Sequence, residues 1–162
     1  MKVGFTGTQD GMTPKQYHAV EKLLKRLDKE DKLTELHHGD CIGADAHVHG
    51  IALITFSDVM IHIHPPDNDS KRDFSLGDPK RIVWYEPKPY LKRNHDIVNV
   101  TDVLIAAPKE KEEKLRSGTW ATFRYGKKRN RNVYVIYPDG TEEAVEKDKI
   151  CVIGNDGKEK FV

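Results

Sequence analysis

The chain has 162 residues, 37% of them hydrophobic and 33% charged, with a formal net charge of +1. A domain of that length buries about two-thirds of the surface its unfolded chain exposes, so one ordinary core suffices and the composition argues against disorder. The near-neutral balance argues against nucleic-acid binding through bulk charge, and two cysteines are too few for a disulfide framework.

No apolar run approaches the length of a membrane span, and no basic-then-apolar leader opens the chain. The expectation is a cytoplasmic protein with reduced thiols. Residues 1–6 read as a strand closed by Gly7. Thr13 and Pro14 then read as an N-cap and first helical position, and Tyr17, Val20, Leu23, Leu24 and Leu27 recur at helical spacing to about Lys29.

Residues 33–38 form a second expected strand, and Gly43-Ala44-Asp45 opens a second helix. Residues 59–64 alternate like a third strand, which Pro65-Pro66 stops. The polar, aperiodic stretch 67–80 reads as a mobile loop. A short extra strand at 82–85, a helix at 90–100, a strand at 103–107, a helix at 119–128 and a strand at 133–137 complete the pattern.

Strands alternating with helices at this pitch give an α/β protein with a mostly parallel sheet and helices on both faces. The turn signals Pro138-Asp139-Gly140 and Asn155-Asp156-Gly157 flank short runs at 142–145 and 150–153. They divide the chain into a main domain, 1–137, and a small antiparallel hairpin extension over 138–162, packed on that domain.

Three glycine-bearing turns fall at strand carboxyl ends, where such sheets bind ligands. The first, residues 4–11, lets backbone approach a ligand and adds the hydroxyls of Thr6 and Thr8. It carries neither the dinucleotide fingerprint nor the Lys-Ser/Thr pair of a phosphate-binding P-loop. The second, residues 38–45, places Asp45 in the first turn of a helix, as a dipole-offsetting cap or as a ligand contact. Asp40 there suits a sugar diol. The third is Ser117-Gly118-Thr119, a helix start whose free N–H groups suit a phosphate. Arg93-Asn94 offers a guanidinium for that phosphate, and Trp120 either stacks on a base or sits in the core.

Taken together, Gly39-x3-Gly43-Ala44-Asp45, Arg93-Asn94-x2-Ile97, Leu104-Ile105-Ala106-Ala107-Pro108 and Ser117-Gly118-Thr119-x2-Thr122 resemble the SLOG superfamily. That group includes the Rossmann-like domain of DNA-processing protein A and the "lonely guy" phosphoribohydrolases. The resemblance spans about residues 3–137 and implies a doubly wound Rossmann-like fold. It also implies a pocket for a nucleotide or related phosphate at Gly7, Thr8, Gly43, Ala44, Ser117, Gly118 and Thr119, with Arg93 contacting phosphate or substrate; Asp45, Asn94 and Thr122 are further candidate ligand contacts beside them. The hydrolytic relatives carry Pro-Gly-Gly-x-Gly-Thr-x-x-Glu with a catalytic glutamate. Thr122 stands at that position, so the resemblance implies binding without cleavage.

Of the eight histidines, His47 and His49 lie on opposite sides of a helix and cannot share a metal. His62 and His64 share a strand face, and with His37 or His38 they make a small cluster geometrically possible, but no zinc spacing supports it. No metal and no required cofactor are expected. His64 reads as a pocket-lining hydrogen-bonding group. Cys41 as a nucleophile beside a histidine is a further option, and residues 109–114 read as a solvated loop or a lid.

The leading expectation is therefore a sensor or binding module for a small-molecule nucleotide, with a homodimer suggested by family analogy. Two alternatives stand beside it. One is an N-glycosidase or transferase using Asp40 or Asp45; the other is a single-stranded DNA binder using Lys127, Lys128, Arg129 and Arg131.

Overall fold

Short β-branched strands pair in parallel, and amphipathic helices carry the chain between them. The computed structural model describes residues 1–145, 151–153 and 159–161. The strands are β1 (Lys2–Gly7), β2 (Glu35–His38), β3 (Met60–Ile63), β4 (Ile82–Trp84), β5 (Val103–Ala107), β6 (Asn132–Ile136), β7 (Glu142–Val145), β8 (Cys151–Ile153) and β9 (Glu159–Phe161). The helices are α1 (Pro14–Glu30), α2 (Ala44–Thr55), α3 (Tyr90–Asn99) and α4 (Gly118–Lys128).

The main sheet has seven strands in the order β4-β3-β2-β1-β5-β6-β7, parallel except for β7. From β1 the chain steps outward through β2 and β3 to β4, then returns to fill the other side with β5 and β6. The reversal opens a crevice beyond the carboxyl ends of β1 and β5.

Helix α1 starts as its sequence dictates. Thr13 accepts from the Gln16 backbone N–H, Gln16 answers on the Thr13 N–H, and Pro14 occupies the first turn. Its buried stripe of Val20, Leu23, Leu24 and Leu27 joins α2 and one sheet face in the larger core. On the second face, Leu104, Ala106, Val133 and Val135 pack with Val98, Trp120 and Phe123 of α3 and α4. Gln16, unremarked in the sequence pattern, is buried and donates to the carbonyls of Pro108 and Ile136, each at 2.8 Å. It fastens the start of α1 to the ends of β5 and β6.

The antiparallel hairpin expected at the sheet edge forms: the chain turns back through Pro138–Thr141 and β7 pairs with β6. Strand β8 pairs with β9. The turn at Asn155-Asp156-Gly157 lies outside the described residues. The 67–80 stretch is tied down rather than free: Arg72 bridges to Cys41, and Ile42 N–H donates to Lys71. Polar contacts hold it, which hydrophobic periodicity could not reveal. Among the described residues no helix is long and apolar enough to cross a membrane.

Candidate functional site

At the crevice between β1 and β5 lies a cleft of about 200 Å³, lined by Gly7, Thr8, Gln9, Asp10, Tyr90, Lys109, Glu110, Ser117, Gly118 and Thr119. One wall is the turn after β1. Thr8 donates its N–H to Ala107, and its carbonyl accepts from Gly11 and Ala44. A Cβ on Gly7 would meet the Ala44 Cβ at 2.5 Å, so this turn and the start of α2 approach only because residue 7 is glycine.

The opposite wall is the start of α4. Ser117 is the N-cap and its hydroxyl accepts from the Trp120 N–H. Among the described residues, no acceptor takes the N–H of Gly118 or Thr119. These are first-turn donors at the positive end of a helix dipole, which favours an anion.

Charged groups bracket the mouth. Lys109 pairs with Asp10 at 2.8 Å, and both side chains are solvent-exposed. Glu110 accepts from the Trp120 indole N–H at 3.1 Å. Tyr90 accepts from Gln9 at 2.6 Å, and its hydroxyl lies 3.6 Å from the Cys41 sulfur. Burial, with Cys41 beside it, pushes the Tyr90 phenol up to about 12, so it stays protonated.

The second glycine turn is built differently. Asp40 has φ 54° and a fully buried carboxylate, which accepts from Arg72 at 3.1 Å and from the Ser75 N–H at 3.0 Å. It pins the 67–80 segment and faces no sugar. Asp45 is also buried; one oxygen accepts from the Cys41 N–H at 3.1 Å and the other has no hydrogen-bond partner. Burial raises the Asp45 carboxyl to about 6, although Arg93 opposes the rise. Gly43, at φ 90°, caps α2 where a Cβ would lie 2.3 Å from the Gln9 carbonyl.

Arg93 belongs to this turn and not to the cleft wall. Its buried guanidinium donates to the Gly39 carbonyl, to the His64 carbonyl at 3.2 Å and to the Cys41 sulfur, and it stacks 4.6 Å from the Tyr90 ring. The carboxyl ends of β2 and β3 present carbonyls that no helix satisfies, and Arg93 is committed to them. Its Nε has no partner. A Cβ on Gly39 would sit 2.0 Å from Arg93 Nη1, so glycine there makes room for the guanidinium.

Several sequence expectations are corrected. Thr122 is buried and returns its hydroxyl to the Gly118 carbonyl at 2.8 Å, so it is not offered to a ligand. Trp120 is 2% exposed and packs in the smaller core, which removes its face from any base. His64 is buried among other rings: His37 Nδ1 lies 2.8 Å from its Nε2 and Tyr85 stacks on it at 4.0 Å. Asn94, buried on α3, and Gly43 and Ala44 of the second turn lie outside the cleft lining; Thr6 precedes the lining on β1. Burial and Asp45 push the Cys41 thiol upward, away from a reactive thiolate. Arg131 is spent on the carbonyls of Val98, Arg129 and Asn99, which takes it out of the basic patch, while Lys127, Lys128 and Arg129 are exposed.

Gln9 and Asp10 lie in the 4–11 turn and Lys109 and Glu110 in the 109–114 segment read as a loop or lid, but none is singled out as a contact, and Tyr90 has no motif to announce it. Lys109 and Glu110 do sit directly after the strand-ending Pro108, which places them at the crevice on topology alone.

No protein-family model and no curated protein matches the chain. Among solved structures it is similar to TM1055, the target of a structural-genomics X-ray study, with a TM-score of 0.52 at 15% identity over 82% of this chain and 71% of that one. At that identity the likeness establishes the α/β Rossmann-like fold.

Proposed function

We propose that the protein binds a nucleotide or nucleotide-derived ligand by its phosphate in the β1–β5 cleft, as a sensor or ligand-binding module of the SLOG type. The observation that carries this reading is the pair of unclaimed N–H groups at Gly118 and Thr119, opposite the glycine turn at Gly7-Thr8, in one cleft. A cleft of about 200 Å³ is smaller than the usual range of about 300–1,000 Å³ for small-molecule pockets. It suits the phosphate and adjoining sugar, with the base extending toward solvent. Lys109 exchanges Asp10 for the incoming anion.

The test is thermal denaturation with a panel of nucleotides, nucleosides and inorganic phosphate. A ligand present at 100 times its dissociation constant stabilises by about 2.7 kcal/mol, or roughly 5–10 °C for a domain of this size. The expected stabilisation comes from phosphate-bearing compounds and not nucleosides, and shrinks in Thr119→Val. No shift with any phosphate-bearing compound sinks the reading.

A second reading draws on Asp10 and Glu110, two carboxylates at the same cleft. They supply the groups an N-glycosidase needs, which Asp40 and Asp45 do not. Chromatography for free base released from nucleoside monophosphates separates the two: release that disappears in Glu110→Gln favours cleavage, and no release favours binding.

A further inference from the structure

We propose that Glu35, His37 and His62 hold a divalent transition-metal ion of the zinc class on the second face of the sheet, with a coordination position left to water. This site is separate from the phosphate cleft and goes beyond its function.

Strand geometry assembles the donors. Glu35 and His37 are two residues apart on β2 and share a face. His62 on β3 is the register partner of His37, and their rings stack at 4.2 Å with a 21° tilt. One ligand atom from each residue lies within 4.8 Å of the others. Glu35 Oε1 is 2.9 Å from His62 Nε2, and Glu35 Oε2 is 3.5 Å from His37 Nε2. Ligands about 2.0–2.1 Å from a tetrahedral ion stand roughly 3.3 Å apart, so rotating the two rings to converge completes the set.

Glu35 Oε2 and His37 Nε2 are buried and make no hydrogen bond; each stands 3.5 Å from the other, and Lys2 Nζ lies 3.5 Å from Glu35 Oε2. Burying such groups unpaired is costly, and an ion between them removes that cost. The outer ring nitrogens are already engaged: His37 Nδ1 with His64 Nε2 at 2.8 Å, and His62 Nδ1 with Tyr85 Oη at 2.9 Å. The tautomer in which each Nδ1 donates outward leaves both Nε2 lone pairs facing Glu35, the arrangement that orients histidine ligands.

Two imidazoles with one carboxylate suit zinc-class ions over magnesium or calcium. Lys2 Nζ, 3.5 Å from Glu35 Oε2 and largely exposed, is the resident competitor.

The experiment is titration of chelator-stripped, untagged protein with Co²⁺, followed by visible absorption, and with Zn²⁺ by calorimetry. The expected result is one ion per chain with a tetrahedral cobalt spectrum, weakened at least about tenfold in Glu35→Gln and in His62→Gln. Lys2→Met tightens binding by removing the competing ammonium, and exposed His18→Gln leaves it unchanged. Circular dichroism verifies folding of each variant, and Lys2→Met carries the test if a histidine variant unfolds. The proposal is overturned if the parent binds neither ion at millimolar concentration. It is equally overturned if folded Glu35→Gln binds like the parent, or if Lys2→Met does not bind more tightly.

Discussion

Two glycine turns at the carboxyl edge of one sheet use similar residues to opposite ends. After β2, Gly39, Asp40, Asp45 and Arg93 are tied to one another and to the 67–75 segment, and their buried side-chain polar atoms are partnered except Asp45 Oδ1 and Arg93 Nε. After β1 and β5, Gly7, Thr8, Gly118 and Thr119 surround a cleft and leave backbone donors unclaimed. A polar residue beside a glycine turn is therefore not yet a ligand contact. What separates the two regions is whether strand-end carbonyls and helix-start N–H groups are satisfied from within.

The strongest way to break this contrast is Arg93→Ala. It strips two carbonyls of their donor and leaves Asp45 buried without its neighbouring cation. Removing one member of such a buried set costs about 3–5 kcal/mol. Urea denaturation reads the loss. A fully stable Arg93→Ala with weakened nucleotide binding would return Arg93 to the cleft.

Acid gives the next effect. Burial, with neighbouring imidazoles adding to it, lowers His37 to about 4 and His64 to about 3, against 6.5 in the unfolded chain. Between those values the unfolded chain binds more protons, so stability falls as pH drops from about 6.5 toward 4. Asp45 works the other way: raised to about 6 from 3.8, it loses stability as pH rises through that window. The imidazoles outnumber it, and a net loss on the order of a few kcal/mol is expected by pH 4. Thermal melts across that range, flat for the parent, would contradict the buried neutral histidines.

Smaller effects sharpen the other side. Lys109→Ala should leave stability within about 0.5 kcal/mol, since an exposed ion pair contributes little, yet weaken nucleotide binding several-fold. Thr122→Val should cost under about 1.5 kcal/mol and leave affinity unchanged, because its hydroxyl serves only the Gly118 carbonyl. Calorimetry on both variants checks the pair. Lost affinity in Thr122→Val would place that hydroxyl in the cleft after all.

The fold was largely legible in the sequence because its punctuation is local. Thr13-Pro14, Gly43 and Ser117 mark helix starts, and β-branched runs mark strands, so most boundaries fall within a residue or two. The edge hairpin was legible too, because Pro138-Asp139-Gly140 ahead of an alternating run signals a turn back onto the last strand. At the cleft, glycine turns at strand ends pointed to Gly7, Thr8 and Ser117-Gly118-Thr119 as lining. Arg93 was misplaced because no sequence pattern tells a guanidinium bound for a phosphate from one bound for strand-end carbonyls. Tyr90 was missed because its partner Gln9 lies far away in the chain. Glu35 escaped the histidine cluster for a similar reason: the cluster needs the pairing register of β2 and β3.

The most direct measurement is amide chemical shift on titrating adenosine monophosphate against adenosine into labelled protein. The account predicts shifts of the Gly118, Thr119, Gly7 and Thr8 amides with the monophosphate alone, and quiet Asp40 and Asp45 amides. Unmoved Gly118 and Thr119 amides, under conditions where other nucleotides also fail to move them, would contradict it.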